Sequence, residues 1–178
     1  MTAAHAADSA LILVIGGARS GKSDHALALA MQAAQPWVFI ATAEALDTEM
    51  QDRIKRHKEA RGQGWVTLEA PIDLAGAIEQ APVDAVVVID CLTLWLSNLM
   101  LGGHDIDRQV ACFDGALDAR ETITIAVANE VGLGIVPETK LGRAFRDRAG
   151  SLNQHLAARA GKVILMVAGL PLTVKPER

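Results

Sequence analysis

Eight residues near the start of the chain, Gly16, Gly17, Ala18, Arg19, Ser20, Gly21, Lys22 and Ser23, follow the spacing G-x-x-x-x-G-K-S. Glycines at these places let a backbone curl its N–H groups around an anion. A lysine after the last glycine can reach β- and γ-phosphates, and the hydroxyl that follows can ligate Mg²⁺. The pattern is suited to holding a nucleoside triphosphate with its metal. Asp90 ends the apolar run "AVVVI" (85–89), and a carboxylate at the carboxyl end of a buried strand can hold that metal, directly or through water. Glu130, in "VANEVG" (127–132), is a weaker candidate of the same kind. His57 lies in "RIKRHKEAR" (53–61), among Arg53, Lys55, Arg56, Lys58 and Arg61. Such cations attract phosphates and favour the neutral imidazole, which is a nucleophile toward phosphorus near neutral pH. The pattern alone leaves His57 open between nucleophile and ordinary surface residue. His25 reads as structural, no chemistry falls to His5, His104 or His155, and Trp65 and Trp95 read as packing residues.

These residues need elements to place them. "ALILVIGG" (10–17) is a continuous apolar run ending in glycines, the pattern of a strand covered on both faces. A helix follows over "KSDHALALAMQAA" (22–34). Further strands are expected at "WVFIATA" (37–43), "DAVVVIDCLT" (84–93), "TITIAVANEVG" (122–132) and "KVILMVAGL" (162–170), five in all. Residues 46–61 carry Leu46, Met50 and Ile54 four apart, which predicts a solvated helix with one thin apolar stripe. Short helices are expected at 73–81 and from residue 92, and another at 108–121. Residues 140–160 form a helix whose continuity Gly150 puts in question. Alternation of buried strands with helices predicts an α/β, three-layer P-loop NTPase domain of RecA-like type, with a mainly parallel sheet.

The chain has 178 residues, 51% hydrophobic and 21% charged, enough for one domain with a sizeable core. The expected organisation is a flexible extension over residues 1–9 and a single catalytic domain over 10–178. A net charge of −4 argues against nucleic acid as the main partner. Cys91 and Cys112 lack metal-ligand spacing, and Cys91 reads as a small buried residue. The apolar runs are too short to span a bilayer, and the N-terminus has no basic region ahead of an apolar stretch, so a cytoplasmic protein is expected.

"GGARSGKS" (16–23), "IATAEALDTEMQDRIKRHKEAR" (40–61), "IDCLTLWLSNLM" (89–100) and "NEVGLGIVPETKLGRAFRDRAGSLNQHLA" (129–157) together resemble the bifunctional cobinamide kinase and cobinamide-phosphate guanylyltransferase family of cobalamin biosynthesis. The resemblance implies phosphorylation of adenosylcobinamide on its aminopropanol hydroxyl by ATP or GTP, then guanylylation of a histidine by GTP. GMP then passes to the cobinamide phosphate, giving adenosylcobinamide-GDP. It implies that His57 is the guanylylated residue and that Lys22 serves catalysis. It places nucleotide contacts at residues 16–23, at Ala41, Thr42 and Ala43, at His57, Lys58, Glu59 and Ala60, and at Glu69 and Asp90. Ser23 and Asp90 are the implied ligands of Mg²⁺, and a homo-oligomer, a trimer, is the implied assembly. Arg56 stands where some relatives have a second histidine, Asp90 where some have Glu, and Ala43 where Ser is often found. Two other readings compete: a P-loop kinase of another small molecule without nucleotidyl transfer, and a nucleotide-binding regulatory module.

Overall fold

The computed structural model describes residues 10–44 and 61–176. The expected extension at 1–9 and most of the expected helix at 46–61, with His57, Lys58, Glu59 and Ala60, lie outside the described residues. In chain order the elements are β1 (Leu11–Gly16), α1 (Lys22–Ala30), β2 (Trp37–Ala41), β3 (Trp65–Glu69), α2 (Leu74–Gln80), β4 (Val86–Asp90), α3 (Leu92–Leu101), α4 (Ile106–Asp118), β5 (Thr124–Asn129), α5 (Lys140–Arg159), β6 (Lys162–Val167) and β7 (Leu170–Lys175). The strands form one sheet in the order β3-β2-β4-β5-β1-β6-β7. All neighbours run parallel except β6 and β7.

The five expected strands are present, and two edge strands join them. β3 is short and half-exposed, so it lacks the continuous apolar run that marks a central strand. β7 follows β6 through Ala168 and Gly169, with φ of 51° and 83°. Two residues at positive φ make a turn that matches the twist of a hairpin, but Ala-Gly lacks the usual Asn-Gly signal. Pro171 is tolerated because β7 is an edge. The helix at 140–159 is continuous through Gly150.

Helices cover the sheet on both faces. α1 packs Ala26 and Ala30 against Val14, Phe39, Val88, Ile125 and Val127. On the other face the larger core joins Leu13, Ile40, Val87 and Ile89 to Leu74, Leu92, Trp95, Phe113 and Leu156. The apolar run from residue 92 is therefore core: Leu92, Trp95, Leu96 and Leu99 of α3 are all fully enclosed. Both Trp readings fit packing. Trp95 is buried and donates from Nε1 to Ile72 O at 2.8 Å. Trp65 packs on Trp37 and Phe39, with ring centroids 5.6 Å and 6.4 Å away. Cys91 is buried.

The chain leaves β1 toward α1 on one face and leaves β4 toward α3 on the other. Divergent connections open a crevice at the carboxyl edge of a parallel sheet, where ligands bind.

Candidate active site

The phosphate loop joins β1 to α1 at that edge. Gly16 must be glycine for steric reasons. A Cβ there would come 2.6 Å from Met166 O and 2.7 Å from Ser20 Oγ. Gly21, at φ 87°, makes the turn into α1 and lies against the β6–β7 turn, its would-be Cβ 3.4 Å from Gly169 Cα. Ser20 O accepts from Gly169 N at 3.1 Å. The hairpin that sequence pattern did not reveal is thus the back wall of the loop. Gly17, Ala18 and Arg19 form its exposed crest, and Arg19 holds a left-handed φ of 54°. Such a conformation costs about 1 kcal/mol or more in a non-glycine residue and recurs at ligand sites.

Lys22, the first residue of α1, is buried, and its Nζ donates to Gly17 O and, at 3.3 Å, to Ser20 Oγ. The ammonium is held inside the loop, beside backbone N–H groups and the positive end of α1. Ser23 follows on the same turn, half-buried.

Asp90 closes β4. β5 lies between it and β1, so Asp90 and the phosphate loop flank the end of one strand, about 10 Å apart by strand spacing. Asp90 Oδ2 is buried without a hydrogen-bond partner. A buried carboxylate oxygen with an idle lone pair suits a cation, and Mg²⁺ takes only one or two protein ligands beside phosphates and water. No cluster of three or more His, Cys, Asp or Glu side chains suited to a metal occurs among the described residues. Asp90 with Ser23 therefore fits a magnesium bound together with a nucleotide, and a stand-alone metal centre is absent from the described residues. Glu130 is engaged differently: its Oε1 accepts from Gly132 N at 2.5 Å and its own N donates to Gly16 O at 2.9 Å. That role shapes the loop after β5.

Ala41 ends β2 in register with both Glu69 and Asp90. The three predicted positions thus share one rung at the sheet edge. Thr42 comes next, fully buried. Its Oγ1 accepts from Cys91 N at 2.8 Å and donates to Cys91 O at 2.7 Å. These two bonds make the hydroxyl a bolt between the ends of β2 and β4. Asn98 of α3 completes the bolt, donating from Nδ2 to Thr42 O at 2.8 Å and to Pro71 O at 3.1 Å. Thr93 Oγ1 likewise accepts from Asn129 N at 2.6 Å. Asn98 and Thr93 were not singled out in the sequence because isolated polar residues inside an apolar helix carry no periodic signal.

Arg61 differs from its expectation as one of a set of solvated, phosphate-attracting cations. It is 8% exposed, with its guanidinium 3.8 Å over the Phe39 ring and Nη2 donating to Thr67 Oγ1 at 3.3 Å. Burial pulls it below the ordinary arginine value, and the charge of Asp90 pushes it back up. His25, on α1, has its Nε2 buried without a partner. Burial, and then the charge of Lys162, hold it below its ordinary value.

Comparison with known proteins agrees with this geometry. Among solved structures, the flagellar accessory protein FlaH of Methanocaldococcus jannaschii superposes with a TM-score of 0.53 at 16% identity, over 93% of this chain and 78% of that one. A prototypical ATPase from the type III secretion system of pathogenic bacteria does so with 0.53 at 12%, over 92% and 56%. At such identities the likeness establishes the fold, a three-layer α/β P-loop NTPase domain. The bifunctional adenosylcobalamin biosynthesis protein CobU of Salmonella typhimurium is 43% identical over 93% of this chain and 99% of its own length. CobP of Pseudomonas aeruginosa, described in the same words, is 43% identical over 93% and 97%. Residues 12–174 match the family described as cobinamide kinase / cobinamide phosphate guanyltransferase, and the chain belongs to that family.

Proposed function

We propose that the protein phosphorylates adenosylcobinamide on its aminopropanol hydroxyl with ATP or GTP, and then transfers GMP from GTP to the resulting phosphate. The observation that carries this reading is the phosphate loop, with Lys22 held inside it, set one strand away from the unpartnered Asp90 oxygen in a chain of this family. Residues 16–23 hold the phosphates through backbone N–H groups and Lys22. Ala41, Thr42 and Ala43, together with Glu69, line the nucleoside side, and Ser23 and Asp90 would hold Mg²⁺. When bound, that ion supplies positive charge to the phosphate oxygens.

In the first reaction the acceptor hydroxyl attacks the γ-phosphorus, and the nucleoside diphosphate leaves with its charge held by Lys22 and the loop. In the second, an imidazole nitrogen of His57 attacks the α-phosphorus of GTP. The new N–P bond forms as the bond to the β-phosphate oxygen breaks, and pyrophosphate departs. Lys58, Glu59 and Ala60 belong to the same nucleotide-contacting stretch. An oxygen of the cobinamide phosphate then attacks the guanylyl phosphorus, which frees His57 and gives adenosylcobinamide-GDP. One phosphate cradle serves both reactions, so the acceptor or the His57 segment changes place between them.

A homo-oligomer, a trimer by resemblance, is part of this reading. Exposed Leu170, Leu172 and Val174 on the edge strand β7 are apolar surface of the kind that subunits cover. The acidic balance of the chain argues against a nucleic-acid partner. Among the described residues no helix is long and apolar enough to cross a membrane.

The test is product analysis. Purified protein with Mg²⁺, GTP and cobinamide should add one phosphoryl group and then one GMP to the corrinoid, read by mass spectrometry. Phosphorylation without any later GMP transfer would reduce the protein to a small-molecule kinase.

A further inference from the structure

A run of apolar side chains held out in water beside a phosphate site needs a reason. Residues 131–136 read Val-Gly-Leu-Gly-Ile-Val, without one polar side chain. Leu133 is 89% exposed, Ile135 95% and Val136 57%. Aliphatic side chains this far out in water contribute little to folding, and several together mark a surface that something covers. Their backbone is idle as well. Among the described residues, none forms a backbone hydrogen bond with Leu133, Gly134, Ile135 or Val136.

The feet of this loop are fixed. Glu130 N donates to Gly16 O at 2.9 Å, and Glu130 Oε1 accepts from Gly132 N at 2.5 Å. At the far end Arg143 Nη1 donates to Pro137 O at 3.0 Å and to Glu138 O at 2.7 Å. Thr139 Oγ1 caps α5 by accepting from Gly142 N at 3.0 Å. A short crest on two pinned feet is a presented surface.

The sheet fixes what lies beside it. Gly16, the first residue of the phosphate loop, pairs with Asn129, the last of β5. The two loops therefore start one strand spacing, about 5 Å, apart. After the phosphate loop, α1 packs Ala26 and Ala30 on one face of the sheet; after the apolar loop, α5 packs Ala149, Leu152 and Leu156 on the other. Neighbouring strands whose connections diverge open a crevice between them. The phosphate loop is one wall of that crevice and residues 131–136 are the other. A nucleotide seated on the first wall leaves the second for the acceptor. The proposed acceptor has the matching chemistry: cobinamide is a corrin macrocycle with a methylated rim and amide arms, and its aminopropanol hangs from one arm. The rim suits Leu133 and Ile135, and the amides suit idle backbone N–H and C=O groups.

We propose that the crest at residues 133–136, with Leu133 and Ile135 as its apolar contacts, docks the corrin macrocycle of the acceptor across the crevice from the phosphate loop. This rests on the reading of cobinamide as the phosphoryl acceptor. Docking of the macrocycle there brings the aminopropanol arm toward the phosphate loop, and the crest sets affinity for the acceptor without touching the nucleotide.

The experiment compares the parent with Leu133→Ser, Ile135→Ser, the pair of them, and Leu133→Met. Exposed positions tolerate such changes, so melting temperatures should agree within about 3 °C. Steady-state phosphorylation is measured against cobinamide and against GTP, and sedimentation velocity gives the assembly state. Each serine should raise the KM for cobinamide about 10-fold, and the pair should raise it further, as loss of apolar burial predicts. The kcat and the KM for GTP should stay within about threefold of the parent, the signature of lost ground-state binding of one substrate. Leu133→Met keeps the apolar contact and should behave as the parent does. A serine pair whose KM for cobinamide lies within threefold of the parent would overturn the inference. So would a raised KM for GTP, which makes the crest a cover for the nucleotide, or dissociation of the assembly, which makes it a contact between copies of the chain. A parent that does not phosphorylate cobinamide overturns the acceptor reading itself, an outcome distinct from an active parent with indifferent variants.

Discussion

Lys22, at the start of α1, and Asp90, at the end of β4, are the two charged groups of the proposed phosphate site. Lys22 is a buried cation held by Gly17 and Ser20 of the loop; Asp90 keeps a buried oxygen without a hydrogen-bond partner. The second fact makes a sharp prediction. Asp90→Asn should bind GTP without added metal as well as the parent does, but should need more Mg²⁺ for half-maximal phosphorylation and lose about 100-fold in rate at saturating nucleotide. Titrating Mg²⁺ at fixed GTP separates the two effects. An unchanged Mg²⁺ requirement would remove Asp90 from the metal site. The places of both residues were legible in the sequence because they follow from local pattern: glycine spacing for Lys22, and the end of an apolar run for Asp90. Arg61 and Asn98 were not. Arg61 sits in a run of charges that looks solvated, and its burial depends on Phe39 and Thr67 from two other strands. Asn98 acts on carbonyls that are distant in the chain, at Thr42 and Pro71.

At the scale of elements, the site depends on keeping the ends of β2 and β4 locked. Thr42 Oγ1 satisfies both the N–H and the C=O of buried Cys91. Thr42→Val keeps the shape and removes both bonds, while Cys91 O still accepts from Trp95 N, so the loss should be about 1–3 kcal/mol in denaturant unfolding. Thr42→Ser should recover most of that. A valine variant as stable as the parent would show that the bolt is dispensable. α1 carries a second prediction, on pH. His25 titrates below its ordinary value of 6.5 because it is partly buried and faces Lys162. The unfolded chain therefore binds the proton more readily than the folded one, and stability rises with pH across the interval between the two values. The His25 contribution is fully present above 6.5 and is lost as pH falls below it toward the folded-state value. Urea midpoints at about pH 7.5 and about pH 5 should differ less in His25→Gln than in the parent. An equal pH dependence in both would exclude His25 as a source. The central strands were legible because burial on both faces writes a continuous apolar run. β3 and β7 were not, since an edge strand is half-exposed and β7 alternates Leu170, Leu172 and Val174 with polar residues or proline.

At the scale of the whole molecule, the order β3-β2-β4-β5-β1-β6-β7 is what lets distant motifs meet. It sets Ala41, Glu69 and Asp90 on one rung and the phosphate loop across a single intervening strand. Nothing local in the sequence dictates that order. Alternation of strand and helix gives the class of fold, while the pairing partners follow from how the whole set of faces is buried. The same arrangement makes one nucleotide-binding edge available to two reactions, and the central claim is that the second of them passes through His57. The direct measurement incubates the parent and His57→Ala with Mg²⁺ and GTP radiolabelled at the α-phosphate, followed by denaturation. Label should be retained on the parent, lost in acid and stable in base as a phosphoramidate is, and absent from the variant, while both proteins still phosphorylate cobinamide. A folded, GTP-binding parent without label, or a His57→Ala protein labelled as fully as the parent, would contradict the account.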